Sequence, residues 1–324
     1  MKEIHLSSIS ESAVHRIIDQ SKQALVSIAI PCFNHGAFVQ EAILSVINQD
    51  YDNIELIIID DGSNDDSVSK IAEMKLACQA RFSRFEFRQR PNKGLSATLN
   101  EALEWCEGEF FAPIASDDVL ISHKTSKQVE YLKRNKQSGG VFGSLNFIDS
   151  KSIAKNNLWL SFKFTKIRKF NFTDIFLHCH NLPAPSQMLR MISVKKAGGY
   201  RIDLILEDWA MWLDLTKDGS SLDYVDGIVA SYRRHDGNMS SKIKVMMDGR
   251  IEVLTIFKNH RLFQRALAKA YLQSAHDWQF IDRYKSRLAL EKSLTFSLLS
   301  ILSVSFVKYC LKYVLYRTKS LTAT

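Results

Sequence analysis

The sequence predicts an α/β fold built on a doubly wound, mostly parallel sheet with helices on both faces. Two observations indicate this class. Apolar, strand-like runs alternate with amphipathic helical patterns over about 110 residues, which is typical of parallel sheets with helical crossovers. A polar segment, often rich in carboxylates, follows each of the four strand-like runs.

The individual elements follow from periodicity and composition. The run 54–59 is entirely apolar apart from Glu55, as expected of a strand buried on both faces. The segment 37–48 has its apolar residues at helical spacing. The predicted strands are Val26–Ile30, Ile54–Ile59, Phe85–Arg88 and Glu109–Ile114. The predicted helices are Ala37–Asn48, Asp66–Cys78, Leu95–Trp105 and Lys124–Asn135.

Composition excludes several classes of protein. The chain has 324 residues, of which 46% are hydrophobic and 24% charged, with only 13 Gly and 5 Pro, so disordered and collagen-like chains are excluded. Its 5 Cys residues are scattered without a C-x-x-C motif, which argues against a disulfide scaffold and a thiolate zinc site. The polar N-terminus lacks an apolar signal-peptide core. We therefore expect a cytoplasmic protein.

The positive charge is concentrated at the C-terminal end. Residues 250–324 contain 13 Lys or Arg and 4 Asp or Glu, a net charge of +9, against +8 for the whole chain. Within them, Ser293–Val307 carries no charge and is shorter than the roughly 18–20 residues that span a bilayer. We predict a helix lying on an anionic membrane surface; the alternative is a helix buried against the protein. Because the basic residues are interleaved with apolar ones, we expect no nucleic-acid partner.

The polar segments after the four strands are expected to meet at one edge of the sheet, where open α/β sheets bind ligands. They contain no G-x-G-x-x-G and no P-loop, so dinucleotide binding and P-loop chemistry are disfavoured. Carboxylates facing a phosphate instead favour a divalent cation. The segments are Pro31–Asn34, Asp60–Ser63, Arg90–Gly94 and Ala115–Asp118.

Five pieces of sequence together resemble the family-2 glycosyltransferases, which have the GT-A fold. They are SIAIPCFNHGAFVQEAILSVINQDYDNIELIIIDDGSNDDS, RPNKGLSATLNEAL with FFAPIASDDVL, PSQMLRMISVKKAGGYRID, ILEDWAMWLDLTKDG and YRRHDGNMS. The resemblance covers roughly residues 25–240. It implies a GT-A domain over 23–240. The sequence pattern outside it predicts a helical segment over 1–22 and a basic helical region over 241–324.

The resemblance implies a nucleotide-sugar site at the first three strand ends. Asp60 is expected to accept a hydrogen bond from the nucleobase, with a purely turn-forming role as the alternative. Pro31 and Asn34 are expected to shape the pocket wall. Asn92 and Lys93 are expected to contact phosphate or ribose, with a plain loop as the alternative.

Ser116-Asp117-Asp118 resembles the family's D-x-D element. Asp118 is the implied ligand of Mg²⁺ or Mn²⁺, and Asp117 is expected to face the ribose; capping of the next helix is the alternative. Many family members have an acid where this chain has Ala115, so one ligand is missing. In the closing YRRH segment, His235 is a candidate metal ligand and Arg233 a candidate phosphate contact.

Glu207-Asp208 resembles the family's Glu-Asp pair, which implies that Asp208 is the general base and Glu207 a neighbouring acceptor contact. A helix N-terminus is expected to lower the pKa of Asp208 and keep it ionised. Two acids that only cap a helix are the alternative. His178 and His180, two residues apart on a predicted strand, are interpreted as acceptor-cleft residues rather than metal ligands.

These inferences predict an inverting glycosyltransferase that moves a sugar from a nucleotide-sugar, with UDP favoured, to a glycan or lipid-linked acceptor. It would use Mg²⁺ or Mn²⁺ and sit peripherally on the cytoplasmic face of the plasma membrane. Two alternatives stay open: a non-catalytic nucleotide-sugar-binding protein of a membrane glycan complex, and a nucleotidyltransferase. The absence of a Gly-rich basic loop near the N-terminus disfavours the nucleotidyltransferase.

Overall fold

The computed structural model describes residues 23–154, 167–180 and 182–321. The predicted helical segment 1–22 lies outside this range. The described chain divides into two compact units. Unit 1 takes the described residues of Met1–Lys169, together with Leu182–Ile202 and Ser220–Arg234. Unit 2 takes those of Phe170–Asn181, Asp203–Gly219 and His235–Thr324. This division differs from the predicted linear one because the chain leaves unit 1 twice and returns to it.

The sheet confirms the predicted α/β class but is more mixed than expected. Its strand order is β3-β2-β1-β4-β8-β6-β9-β5, with β7 paired to β9. The first four strands are parallel, as predicted, whereas β8 runs antiparallel to both β4 and β6. The strands are β1 Val26–Cys32, β2 Ile54–Asp60, β3 Arg84–Gln89, β4 Phe110–Pro113, β5 Val119–Leu120, β6 Ser138–Asp149, β7 Arg168–Phe170, β8 Met188–Arg190 and β9 Ser221–Arg234.

The helices of unit 1 follow the predicted pattern with one break. The predicted helix 66–78 is two helices, because the chain leaves helical hydrogen bonding at Met74. The helices are α1 Val39–Ile47, α2 Ser67–Glu73, α3 Lys75–Arg81, α4 Leu95–Trp105, α5 Lys124–Arg134 and α7 Met191–Ala197, with a 3₁₀ turn at Ala184–Ser186.

A buried carboxylate ties the first strands together. Glu55 of β2 is fully buried and accepts hydrogen bonds from the Ser27 hydroxyl of β1 at 2.6 Å and from the backbone N–H of Gly108 at 3.0 Å. Arg84 of β3 supplies the compensating charge at 2.6 Å. A lone polar residue in an apolar strand is tolerated because its charge and hydrogen bonds are satisfied. The parallel register that places the strand ends side by side is thereby reinforced.

Unit 2 consists mainly of helices. They are α6 Phe172–Phe176, α8 Glu207–Thr216, α9 Ile243–Ile256, α10 Phe263–Trp278, α11 Arg283–Phe296 and α12 Val304–Leu321, with 3₁₀ turns at Met239–Ser241 and Leu298–Leu302. Its small core includes Ala275, Ala289 and Tyr309.

The uncharged segment 293–307 is not the single helix predicted. The chain becomes extended at Ser297, with φ −161° and ψ 110°, so the segment is split among the end of α11, a 3₁₀ turn and the start of α12. Its apolar side chains point outward, contrary to the buried-helix alternative: Leu298 is 72% exposed and Leu302 82% exposed. Among the described residues, no helix is long and apolar enough to cross a membrane.

Candidate active site

The carboxyl group of Asp60 closes the turn that follows β2. It is fully buried, and it accepts the backbone N–H groups of Gly62 at 3.2 Å and Ser63 at 3.0 Å, and the Ser63 hydroxyl at 2.5 Å. Gly62 adopts a left-handed φ of +80°, and a Cβ there would lie 2.7 Å from the backbone nitrogen of Asn92. The turn-forming role is therefore observed, and contact with a nucleobase stays a prediction.

The loops after β1, β2 and β3 are held together by hydrogen bonds. The carboxylate of Asp61 accepts the backbone N–H of Lys93 at 2.8 Å and of Gly94 at 2.9 Å, and it also pairs with Arg90. The Asn34 side chain accepts the backbone N–H of Asn64 at 2.8 Å. Three of the four predicted loops are thus linked inside unit 1. The side chains of Asn92 and Lys93 are exposed, and Pro31 is partly buried.

The fourth loop meets the first through a residue that sequence reasoning missed. His35 Nδ1 lies 2.8 Å from the Ser116 hydroxyl and 3.9 Å from Asp117 Oδ1. The only feature of the sequence that could have indicated a role for His35 at the site is its position directly after Asn34 in a loop at a strand end. Asp118 is buried, and its Oδ1 accepts the backbone N–H of Arg233 at 2.9 Å. Burial and the adjacent charge of Asp117 raise the pKa of Asp118 well above its usual range.

Arg233 has a different role from the predicted phosphate contact. Its side chain is fully buried, and its guanidinium donates to the backbone oxygens of Asp117 at 2.7 Å and Asp149 at 3.0 Å and to the carboxylate of Glu41 at 2.6 Å. It also lies over the ring of Phe38, 4.9 Å from the centroid. All three nitrogens of the guanidinium donate hydrogen bonds within the protein, so Arg233 positions the acidic loop.

The Glu207-Asp208 pair begins α8 in unit 2. Asp208 Oδ1 accepts the backbone N–H of Trp209 at 2.6 Å. Burial raises the pKa of Asp208, and burial together with the negative charge of Asp208 raises the pKa of Glu207 to about 8. The expected lowering of the Asp208 pKa is therefore wrong. Desolvation of two adjacent acids outweighs the favourable helix N-terminus.

The three candidate histidines lie in loops of unit 2. His235 follows the last residue of β9; its backbone N–H donates to Asn238 Oδ1 at 2.7 Å, and its Nδ1 accepts the N–H of Gly237 at 3.2 Å. His178 and His180 follow α6 and do not form the predicted strand. Their rings lie 4.8 Å apart, and His178 packs edge-on against Trp209.

Comparison with known families agrees with this arrangement. The model of glycosyl transferase family 2 matches residues 27–198, more than half of the chain. The chain belongs to this family. As a family-2 glycosyltransferase it is an enzyme, which argues against both the non-catalytic binding protein and the nucleotidyltransferase. The matched region contains the four strand-end loops and ends before Glu207 and His235.

Characterised relatives of this glycosyltransferase come from Escherichia coli. The chain is 26% identical over 244 residues, 74% of its length and 90% of the relative's, to WfaP, named a UDP-Glc:alpha-D-GlcNAc-diphosphoundecaprenol beta-1,3-glucosyltransferase. It is 27% identical over 222 residues, 67% of its length and 80% of the relative's, to WfgD, which has the same enzyme name.

Two solved structures share the fold. TarS 1-349 of Staphylococcus aureus, in complex with UDP-GlcNAc, superposes with a TM-score of 0.63 at 15% identity, covering 84% of this chain and 80% of TarS 1-349. The mannosyltransferase PcManGT of Pyrobaculum calidifontis, with GDP-Man and Mn²⁺, has a TM-score of 0.62 at 11% identity, covering 94% and 82%. These likenesses confirm the predicted GT-A fold.

The residues around Asp117 in this glycosyltransferase suit a divalent cation. Asp117 and Asp118 are adjacent acids in a buried setting, and the pKa of Asp118 is raised partly because the two negative charges repel. Carboxylate oxygens and an imidazole such as that of His35 are ligands that Mn²⁺ accepts, and Mg²⁺ favours the oxygens. A cation here would relieve the repulsion between the two carboxylates.

The buried Arg233 predicts a large difference between two neighbouring arginines. Arg233→Met removes the charge and the hydrogen bonds that hold the Asp117 loop, so we expect it to lower the free energy of unfolding by about 3 kcal/mol. The matched control Arg234→Met removes an exposed guanidinium and should change it by about 0.5 kcal/mol or less. Chemical denaturation measures both, and equal stabilities would contradict the positioning role.

Proposed function

We propose that this protein is an inverting glycosyltransferase that transfers a sugar from a UDP-sugar to a hydroxyl of a lipid-linked saccharide. The observation that carries the proposal is the Glu207-Asp208 pair, whose raised pKa values suit a group that accepts a proton near neutral pH. The names of WfaP and WfgD, which specify UDP-Glc and a diphosphoundecaprenol-linked acceptor, support the choice of substrates.

The donor is proposed to bind at the strand-end loops of unit 1. Asp60 would accept the imide N–H of uracil at Oδ2, which accepts one hydrogen bond within its turn, from the Ser63 hydroxyl. Asn92 and Lys93 would face ribose and phosphate, because Lys93 offers an exposed ammonium beside its anchored backbone. Asp117 would contact the ribose, and Pro31 and Asn34 would form the wall of the base pocket.

A divalent cation, Mn²⁺ or Mg²⁺, is proposed to be held by Asp118 with the help of Asp117 and His35. His235 remains a candidate from sequence alone. The cation would act as a Lewis acid that neutralises charge on the diphosphate of the donor. The carboxylates of Asp117 and Asp118 would supply the negative charge that binds the cation, and hydrogen bonds from Arg233 hold their loop in place.

The proposed chemistry is a single displacement with Asp208 as general base. The carboxylate of Asp208 removes the proton from the acceptor hydroxyl, while the hydroxyl oxygen forms a bond to the anomeric carbon of the donor sugar. The bond from that carbon to the diphosphate breaks on the opposite face, UDP departs with the bonding pair, and the configuration inverts. Glu207, whose pKa burial and the charge of Asp208 raise to about 8, would stay largely protonated near neutral pH and contact the acceptor beside the base.

Association with the membrane surface is proposed to occur through the turn Leu298–Leu302 and the start of α12. Three exposed leucines, Leu298, Leu299 and Leu302, offer apolar area, and exposed Lys308 and Lys312 follow them. Apolar side chains flanked by lysines suit insertion at an anionic headgroup boundary. Such contact would bring the enzyme to the cytoplasmic face, where a lipid-linked acceptor is presented.

The assignment of the base predicts a separation of binding from transfer. Asp208→Asn should lower transfer from UDP-glucose at least about 100-fold, because the amide cannot take the proton. It should leave thermal stabilisation by UDP-glucose with Mn²⁺ intact. Asp203→Asn, an exposed acid just before α8, is the matched control and should keep full activity. Unchanged turnover by the Asp208 variant would remove it as base.

The raised pKa values predict an acid limb in the pH profile. Only the ionised base accepts a proton, so kcat/KM should rise with pH along a limb set by the raised pKa of Asp208, and ionisation of Glu207, whose pKa is about 8, should produce a second inflection. Glu207→Gln removes that second ionisable group, so the second inflection should disappear while the Asp208 limb remains. Measurements of kcat/KM between about pH 5 and 9, at intervals of roughly one pH unit, check this prediction. A second inflection that persists in Glu207→Gln near the pKa of about 8 would contradict this assignment.

The membrane proposal predicts a loss of binding on removal of exposed leucines. The triple variant Leu298→Ser, Leu299→Ser, Leu302→Ser should float at least about tenfold less with phosphatidylglycerol vesicles, because burying each leucine contributes on the order of 1.5 kcal/mol or more. Leu76→Ser, which removes an 80% exposed leucine of unit 1, is the control. Equal flotation of the triple variant and the unaltered protein would rule out this surface.

A further inference from the structure

Unit 2 contains a pocket, lined in part by Trp209 of α8, that none of the functions above uses. Its volume is about 240 Å³. It lies among α8, α9, α10 and the first residues of α12. The side chains that define its character are Trp209, His178, Arg250, Lys269, Gln273 and Val304.

The pocket has an excess of positive charge. Asp277 is shared by Arg250 at 2.8 Å and by the Gln273 amide at 2.8 Å, so one carboxylate balances one guanidinium. Lys269 donates to the Cys179 sulfur at 2.7 Å and forms no ion pair with any residue that the structure describes. The ammonium of Lys269 is only partly buried and is therefore available to an anionic ligand.

One side of the pocket is formed by Ser303, Val304 and Ser305 at the start of α12. Val304 is the apolar residue of these three and is 71% exposed. Ser303 joins this side to the turn Leu298–Leu302, the proposed membrane-contacting segment with its exposed leucines. A ligand with an anionic group near Lys269 and a hydrocarbon chain along this surface matches both sides of the pocket.

The pocket and the proposed base share the first turn of α8. The backbone N–H of Trp209 donates to Asp208, while its indole N–H donates to the Ile175 carbonyl at 3.0 Å and so fixes the ring in the pocket wall. The residue that follows Asp208 in the chain therefore lines the pocket. This neighbourhood favours an acceptor over an unrelated ligand.

We propose that this pocket binds the phosphoryl group through which the acceptor saccharide is attached to its lipid. The proposal rests on the proposed function, since it names a subsite for the acceptor of that reaction. Lys269 and Arg250 contact the phosphoryl oxygens, Trp209 borders the first sugar, and the lipid leaves past Val304. The saccharide hydroxyl is thereby presented to Asp208.

Binding of farnesyl diphosphate to the full-length protein, followed by equilibrium dialysis, tests the proposal. We expect Lys269→Gln to weaken binding at least about tenfold, because a charge-assisted hydrogen bond to phosphate is lost. Val304→Glu, which places a negative charge at the exposed mouth, should weaken it similarly. Lys258→Gln removes an exposed ammonium of unit 2 outside the pocket and should bind like the unaltered protein. Lys269→Gln binding within twofold of the control would overturn the proposal.

Further ligands identify what the pocket recognises. Farnesol should bind at least about tenfold more weakly than farnesyl diphosphate, because it lacks the charge. Inorganic diphosphate should also bind more weakly, because it lacks the apolar chain. Equal binding of inorganic diphosphate would overturn recognition of a lipid. Thermal stabilisation of the protein by UDP-glucose should be the same in these variants as in the unaltered protein. If UDP-glucose stabilises neither the variants nor the unaltered protein, the result counts against the proposed function rather than against the pocket.

Discussion

The buried guanidinium of Arg233 is the interaction on which the acidic edge of unit 1 depends. Two adjacent acids, Asp117 and Asp118, end a loop that is almost closed to water, and isolated charges in such a place are costly. Arg233 offsets them and also reaches Glu41 on α1, so one cation joins a helix, two strands and the loop. Because Nε and both terminal nitrogens of its guanidinium are used in this way, Arg233 is a structural counter-ion.

The first half of the sheet was predictable because buried parallel strands are almost continuously apolar. The predicted strand at 54–59 differs from β2 by one residue, and α4 agrees at both ends. The second half was not predictable from periodicity. β6 contains Gly140 and Gly143, packed against neighbouring side chains, and β8 has only three residues. The breaks at Met74 and Ser297 also lack Gly or Pro, so tertiary packing decides them.

The types of residue at the candidate site were predictable, but several of their roles were not. Strand ends placed acids and amides at one edge, and the hydrogen bonds among the loops agree with that. Turn geometry decides which carboxylate oxygens are already occupied. Both oxygens of Asp60 hold their own turn, and Asp61 anchors the Lys93–Gly94 backbone. The pKa of Asp208 went in the opposite direction because local sequence shows a helix start but not its desolvation.

Donor and acceptor chemistry are proposed to reside in different parts of the chain, with different physical requirements. Holding a nucleotide diphosphate needs charge compensation at a rigid edge, which Arg233 and backbone-anchored loops supply in unit 1. Activating a hydroxyl needs a carboxylate whose affinity for a proton is raised, which requires exclusion of water. The first turn of α8 meets this second requirement by pairing two acids beside Trp209 and a positively charged pocket. A phosphate bound at Lys269 would displace water from the pocket that Trp209, the residue after Asp208, lines. Because desolvation raises the proton affinity of a carboxylate, acceptor binding would then strengthen the base at the moment it is needed.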